Sequence, residues 1–97
     1  MQTFKTGQKT VTVSGTPEQL GSGKVPSELV IKALAANTGT ICVGYSSATA
    51  QKASGDFFPL AAGESLALAT DNLDDIWLDV MVSSDGVAYA HEVQIQD

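Results

Sequence analysis

Residues 28–47 read ELVIKALAANTGTICVGYSS, and this stretch decides the fold class. Apolar residues recur at every second position on both sides of Asn37-Thr38-Gly39, the pattern of half-buried β-strands. The alternating positions are Leu29 and Ile31 before this cluster, and Ile41, Val43 and Tyr45 after it. Asn and Gly tolerate positive φ and favour turns. The stretch therefore predicts two strands joined as a β-hairpin, with Gly44 at a bulge or a close backbone approach.

The same period-two alternation continues along the rest of the chain. It predicts strands at 9–13, 65–69, 76–82 and 87–95, and a short segment at 57–60 that Pro59 confines to a sheet edge or a strand end. Ser83-Ser84-Asp85-Gly86 predicts a second hairpin turn. About seven strands with turn residues between them indicate an all-β domain, a single small antiparallel β-sandwich or jelly-roll-like barrel. A helix over the Ala-rich residues 60–70 is the main alternative to one of these strands.

Length and charge limit the classes of function. A chain of 97 residues is one domain, which we divide into an N-terminal arm (1–8) and a β-sandwich (9–97). Its net charge is −6, and its five basic residues are all Lys. The negative charge and the lack of Arg argue against direct nucleic-acid binding. Neither a signal peptide nor a membrane-spanning segment is recognisable, so we expect synthesis in a cytoplasm and no membrane partner.

The residues that most often perform chemistry occur singly. Cys42 lies in a predicted strand, where a buried apolar role competes with a nucleophilic one that would need His91 as its base. Residues 71–75, DNLDD, offer oxygen ligands for a cation, although Asx residues also favour turns for local reasons. Asp79 is predicted to face solvent or an interface. No catalytic, cofactor or metal site is therefore predicted, and no enzyme activity.

Aromatic residues of a small sandwich usually lie in the core, and a role in a protein–protein interface competes with that core role. Phe4 lies in a polar segment, which suits docking onto a neighbouring molecule. The candidate interface residues are Phe4, Val11, Val13, Tyr45, Phe57, Phe58 and Trp77.

Several motifs resemble those of small structural proteins of tailed-phage virions. Of the family pattern VxIKAxxxNTGxIxVG, the chain carries Ile31-Lys32-Ala33, Asn37-Thr38-Gly39, Ile41 and Val43-Gly44, with Leu29 at the first Val position; LxAGES follows at 60–65 and NLxxIWV at 72–78, where Leu78 replaces the final Val. The similarity runs from about Val11 to Val93 and consists of turn and strand signatures. The family includes capsid decoration (cement) proteins and related head accessory proteins.

The resemblance implies a β-sandwich on the virion that binds the outer capsid surface and stabilises the shell. Its partners would be the major capsid protein or other virion proteins, and it would be a homo-oligomer, with a trimer favoured. Such a protein is made in the cytoplasm of the host bacterium. Two alternatives stay open: a tail or head-fibre accessory protein, and a carbohydrate-binding β-sandwich module.

Overall fold

The computed structural model describes residues 2–25 and 28–94, which form eight strands, one short helix and one 3₁₀ turn. The strands are β1 (Gln2–Thr10), β2 (Glu18–Gln19), β3 (Glu28–Ala33), β4 (Ile41–Gly44), β5 (Phe58–Leu60), β6 (Ser65–Ala69), β7 (Trp77–Val80) and β8 (Gly86–Gln94). The helix α1 is Ser47–Ala50, and the 3₁₀ turn is Leu73–Asp75. The predicted all-β class is confirmed. The predicted strand at 65–69 is also confirmed, against the helical alternative.

The strands form two antiparallel four-stranded sheets. Sheet A has the order β1-β8-β3-β6, and sheet B has the order β2-β7-β4-β5. Only β4 and β5 are both consecutive in the chain and paired, so every other connection crosses between the sheets. This is the topology of an eight-stranded jelly roll.

The core lies between the sheets and is supplied by alternate residues of the strands. In β3, Leu29, Ile31 and Ala33 are buried while Val30 and Lys32 are exposed, as the sequence pattern predicted. Sheet B contributes Ile41, Val43, Leu60, Leu78 and Val80 to the same cluster. Residues from connecting segments close its ends, among them Val11, Leu20, Val25, Leu73 and Ile76.

The two predicted hairpins are wrong, because each turn carries the chain from one sheet to the other. Residues 34–40 leave sheet A for sheet B, and residues 81–85 make the return crossing. Asn37 Nδ2 donates to Gly86 O at 2.8 Å, and Gly86 N–H donates to Asn37 Oδ1 at 3.0 Å. The Asp85 carboxylate accepts the N–H groups of Thr38 and Gly39 at 3.2 and 2.8 Å. The residues of the two turns are thus hydrogen-bonded to each other, and neither turn closes a hairpin.

The N-terminal segment is part of a sheet. β1 runs through the expected boundary between arm and domain at residues 8 and 9 and pairs with β8 from Gln2 opposite Gln94 to Thr10 opposite Gly86. Residue 1 of the expected arm and residues 95–97 of the expected domain lie outside the described residues. The strand predicted at 9–13 instead ends at Thr10, because the next residue, Val11, turns into the core.

Candidate binding surface

The outer face of sheet B is covered by the protein's own chain. The segment after β4, residues 45–56, folds back over the sheet as α1 and a loop, and we call it the cover. The N-cap of α1, Ser46, accepts the N–H of Thr49 at 3.1 Å. A Cβ atom at Gly44 would lie 2.6 Å from the backbone nitrogen of Ala50, so glycine permits this contact. The predicted close backbone approach at Gly44 is confirmed.

Asp79 fastens this cover, so the prediction that it faces solvent or an interface is wrong. Its side chain is fully buried on the outer side of β7. Oδ1 accepts the N–H groups of Gly15 and Val80 at 2.9 and 2.7 Å, and Oδ2 accepts that of Lys52 at 2.8 Å. The carboxylate therefore joins two loops to one strand, and its hydrogen-bonding capacity serves the backbone.

The structure does not bring Cys42 and His91 together. Cys42 lies opposite Asp79 on the outer side of sheet B, beneath the cover, where burial raises the pKa of its thiol to about 11 and the nearby Asp79 charge adds to the effect. His91 is buried on the inner side of sheet A, and its ring stacks on Tyr89 with a centroid separation of 6.2 Å. One whole sheet separates these side chains, and a raised pKa keeps the thiol protonated.

The acidic segment at 71–75 is a capped turn. Asn72 Oδ1 accepts the N–H of Asp74, and Asp71 O accepts the N–H of Val25. Within residues 2–25 and 28–94, no group of three or more His, Cys, Asp or Glu side chains is placed to hold a metal ion. The same part of the chain contains no helix long and apolar enough to cross a membrane.

Sheet A, in contrast, presents an open outer face. Directly opposed residues of neighbouring strands point to the same side, so the register identifies the members of this face. The described ones are Phe4, Thr6, Gln8, Thr10, Glu28, Val30, Lys32, Ser65, Ala67, Ala69, Ala88 and Ala90. Two of these twelve residues, Glu28 and Lys32, are charged, about the same share as in the whole chain, and their charges are opposite in sign. Five of the twelve are Ala or Ser, so the strands of this face carry small side chains and stay open to close approach.

A shallow groove of about 310 Å³ runs along this face. Its floor is formed by Ala88 and Ala90 of β8. Thr6 and Gln8 of β1 form one wall, and Val30 and Lys32 of β3 form the other. The sequence pattern places Val30 with Lys32 on one face of their strand and Ala88 with Ala90 on one face of theirs, but it does not show that these strands are neighbours or that β1 completes the groove.

The predicted interface residues do not form one patch. Phe4, Val13, Tyr45 and Phe58 are strongly exposed, with relative accessibilities of 71, 54, 78 and 53%, whereas Phe57 and Trp77 are half-buried. Phe4 lies on β1 at one edge of sheet A, and Phe58 lies on β5 at the far edge of sheet B. Val11 is completely buried in the core, so its place in a surface interface is a wrong prediction.

No protein-family model matches the chain, and no curated protein matches it. A solved structure with a similar fold is that of IMPa from Pseudomonas aeruginosa in complex with an O-glycopeptide. The likeness has a TM-score of 0.57 at 16% sequence identity and covers 94% of this chain but 12% of that one. At this identity the likeness shows the fold alone.

Proposed function

We propose that the chain is a non-enzymatic structural protein of a phage virion, a decoration protein that binds the outer capsid surface and stabilises the shell. The motifs shared with small virion proteins support the family. The contrast between the two sheets supports the mode of binding, because α1 and its loop cover sheet B while the outer face of sheet A stays open, with Ala88 and Ala90 at its centre. The partner is the major capsid protein or another virion protein, and the location is the virion.

The roles of the buried polar groups fit a structural protein. Asp79 and Asp85 are buried carboxylates, and each accepts backbone N–H groups from other segments of the chain. Binding to the assembled shell but not to its unassembled parts stabilises the shell by mass action. An open sheet face suits this task.

Binding to particles tests the proposal directly. Val30→Glu places a charge at the centre of the open face, and Val82→Glu is the matched control because the two valines are 40 and 42% exposed. We expect the wild-type protein and the Val82→Glu variant to co-sediment with particles stripped of their decoration protein. Val30→Glu should stay in the supernatant, and particles lacking the protein should lose their contents at a lower temperature. Equal heat tolerance with and without the protein would rule out the cement role.

A carbohydrate-binding module is the second candidate, favoured by the groove on sheet A. The Thr6 hydroxyl, the Gln8 amide and the Lys32 ammonium line its walls, and such groups hydrogen-bond sugar hydroxyls. The similar fold of IMPa, whose structure was determined with an O-glycopeptide, is compatible with this candidate. A glycan array separates the two functions, with Gln8→Ala, Tyr45→Ala and Trp77→Ala as variants. Binding that Gln8→Ala abolishes would favour the carbohydrate module.

A further inference from the structure

The four sheet edges differ in their protection against further strand pairing. β5 contains Pro59, and β2 is only two residues long. β1 is a nine-residue edge that carries Lys5 and Lys9. β6, with the sequence SLALA, has neither charge nor proline, and no other described segment pairs with its outer side. Unprotected edges of this kind pair with other chains.

The register shows which backbone groups of β6 are free. Ala33 N–H donates to Glu64 O at 2.9 Å, and Ala33 O accepts the N–H of Gly63 at 2.9 Å, so Ala33 and the odd-numbered residues of β3 bond the β6 side. Because hydrogen-bonded and non-hydrogen-bonded pairs alternate, Ser65, Ala67 and Ala69 direct their N–H and C=O groups away from β3. The two leucines between them are half-buried against the core, so a strand added here would also cover apolar surface.

The same argument identifies the free groups of β1. Val11 N–H donates to Asp85 O at 3.1 Å, so the odd-numbered residues of β1 bond β8. Phe4, Thr6 and Gln8 therefore direct their backbone groups outward. The Phe4 side chain lies on this edge with 71% of its surface exposed.

The charges beside the edge strands favour some edge pairings over others. Glu64 and Asp71 stand beside the two ends of β6, whereas β1 carries only the two lysines. Pairing of β6 with β6 of a second copy would bring acidic residues together at both ends, and pairing of β1 with β1 would bring lysines together. Pairing of β6 with β1 sets opposite charges beside each other, and like charges opposed across strands are destabilising.

We propose that β6 of one copy pairs in antiparallel fashion with β1 of the next copy. In the register that matches the free groups, Thr6 lies opposite Ala67 and Phe4 opposite Ala69, so the exposed ring packs on small side chains. Lys9, which bonds Glu18 at 2.8 Å, then also lies opposite Glu64 of the next copy.

Such a contact is head-to-tail, and in a closed ring of the kind that the proposed homo-oligomer implies, sheet A would continue from copy to copy. The ring joins the open outer faces into one larger surface. This inference rests on the homo-oligomer of the proposed function but not on its capsid role. The β6–β1 pairing would be the contact between subunits in the trimer that the resemblance favours.

Disulfide cross-linking tests both partner and register. Opposed Cα atoms of a hydrogen-bonded pair are about 5.5 Å apart, a span that a disulfide bridges. The single variants Thr6→Cys and Ala67→Cys are mixed and oxidised with glutathione disulfide. Both positions are exposed and bond no neighbour through their outward backbone groups. Ala53→Cys, in an exposed loop away from both edges, replaces either partner as the control.

We expect a covalent heterodimer of twice the 10.0 kDa chain mass from the Thr6→Cys and Ala67→Cys mixture, and none from either variant alone or with Ala53→Cys. In the double variant Thr6→Cys/Ala67→Cys, the covalent products should end at one closed size. A covalent dimer from Ala67→Cys alone would overturn the proposal in favour of β6 with β6. No cross-link in the mixture would also overturn it. Cross-linked rings that fail to bind particles would confirm the pairing and reject the capsid role.

Discussion

Asp79→Ala should destabilise the protein severely, because three backbone N–H groups lose their acceptor. The carboxylate accepts from Gly15, Lys52 and Val80 at 2.7–2.9 Å and is fully buried. Each buried donor left without a partner costs about 1–3 kcal/mol. Water entering the space lowers the sum, so we expect a loss of about 3–5 kcal/mol in the free energy of unfolding. A domain of this size has about 5–15 kcal/mol in total.

Asp79→Asn should have a smaller effect on stability than Asp79→Ala. Its amide oxygen can still accept from Gly15 and Val80, but its NH₂ group faces the Lys52 N–H, so donor opposes donor. We expect a loss of about 1.5–3 kcal/mol, between wild type and Asp79→Ala. At about 4–8 °C per kcal/mol for a domain of this size, even the milder variant should lower Tm by about 6–24 °C.

Urea unfolding followed by Trp77 fluorescence measures these losses, because Trp77 lies on the same strand as Asp79. Asp56→Asn, at an exposed position, is the matched control and should stay within about 0.5 kcal/mol of wild type. Hydrogen exchange should quicken at the Gly15 and Lys52 amides of both Asp79 variants. If Asp79→Ala unfolds within 1 kcal/mol of wild type, about the worth of one ordinary hydrogen bond, the carboxylate does not fasten the cover as argued.

Three further perturbations probe the cover and the β1–β2 corner. Gly44→Ala should cost about 1–3 kcal/mol in a urea melt, because the added Cβ meets Ala50 and forces α1 outward; an unchanged midpoint would contradict this packing. Cys42 should resist iodoacetamide at pH 8 until the protein unfolds, since a thiol with a pKa of about 11 is about a thousandth ionised there. Hydrogen bonds from the Lys9 ammonium and the Thr12 N–H lower the pKa of Glu18 below its ordinary 4.5. The stability that these bonds contribute is therefore present above that pH and is lost as the pH falls through the lowered pKa. Wild type should accordingly lose slightly more stability than Glu18→Gln between pH 6 and pH 3, by under about 1 kcal/mol for so exposed a pair.

The sequence predicts strands well where alternation reflects burial on one face. β3 is the clearest case, because Leu29 and Ile31 enter the core while Val30 and Lys32 do not. Pro59 likewise marked β5 as an edge strand. These are local properties, visible within a few residues.

The pairing of the strands and the covering of sheet B were not predictable in the same way. Asn37-Thr38-Gly39 and Asp85-Gly86 show that the chain turns, but not whether the two strands at each turn share a sheet. That choice depends on hydrogen bonds between residues 46–49 positions apart. Asp79 occupies an outward position of an alternating strand, and it is buried because residues 45–56 and the loop that contains Gly15 fold over it.

The candidate surface was missed for a related reason. β1 is polar, without the apolar alternation that indicates a strand, and its place in sheet A comes from pairing with β8 at the far end of the sequence. Without that pairing, Thr6 and Gln8 have no visible relation to Ala88 and Ala90. A continuous strand over residues 9–13 would set Val11 and Val13 on one face, but the chain leaves the strand at Thr10 and Val11 enters the core.

The position of β8 between β1 and β3 has a consequence for biosynthesis. During translation β3 and β6 emerge and can meet early, but β1 has no neighbour in its sheet until residues 86–94 have left the ribosome. Contacts between segments so distant in sequence form slowly. A nascent chain halted before Gly86 would therefore hold half of a sheet and a free nine-residue strand, a species open to capture by chaperones or by other nascent copies.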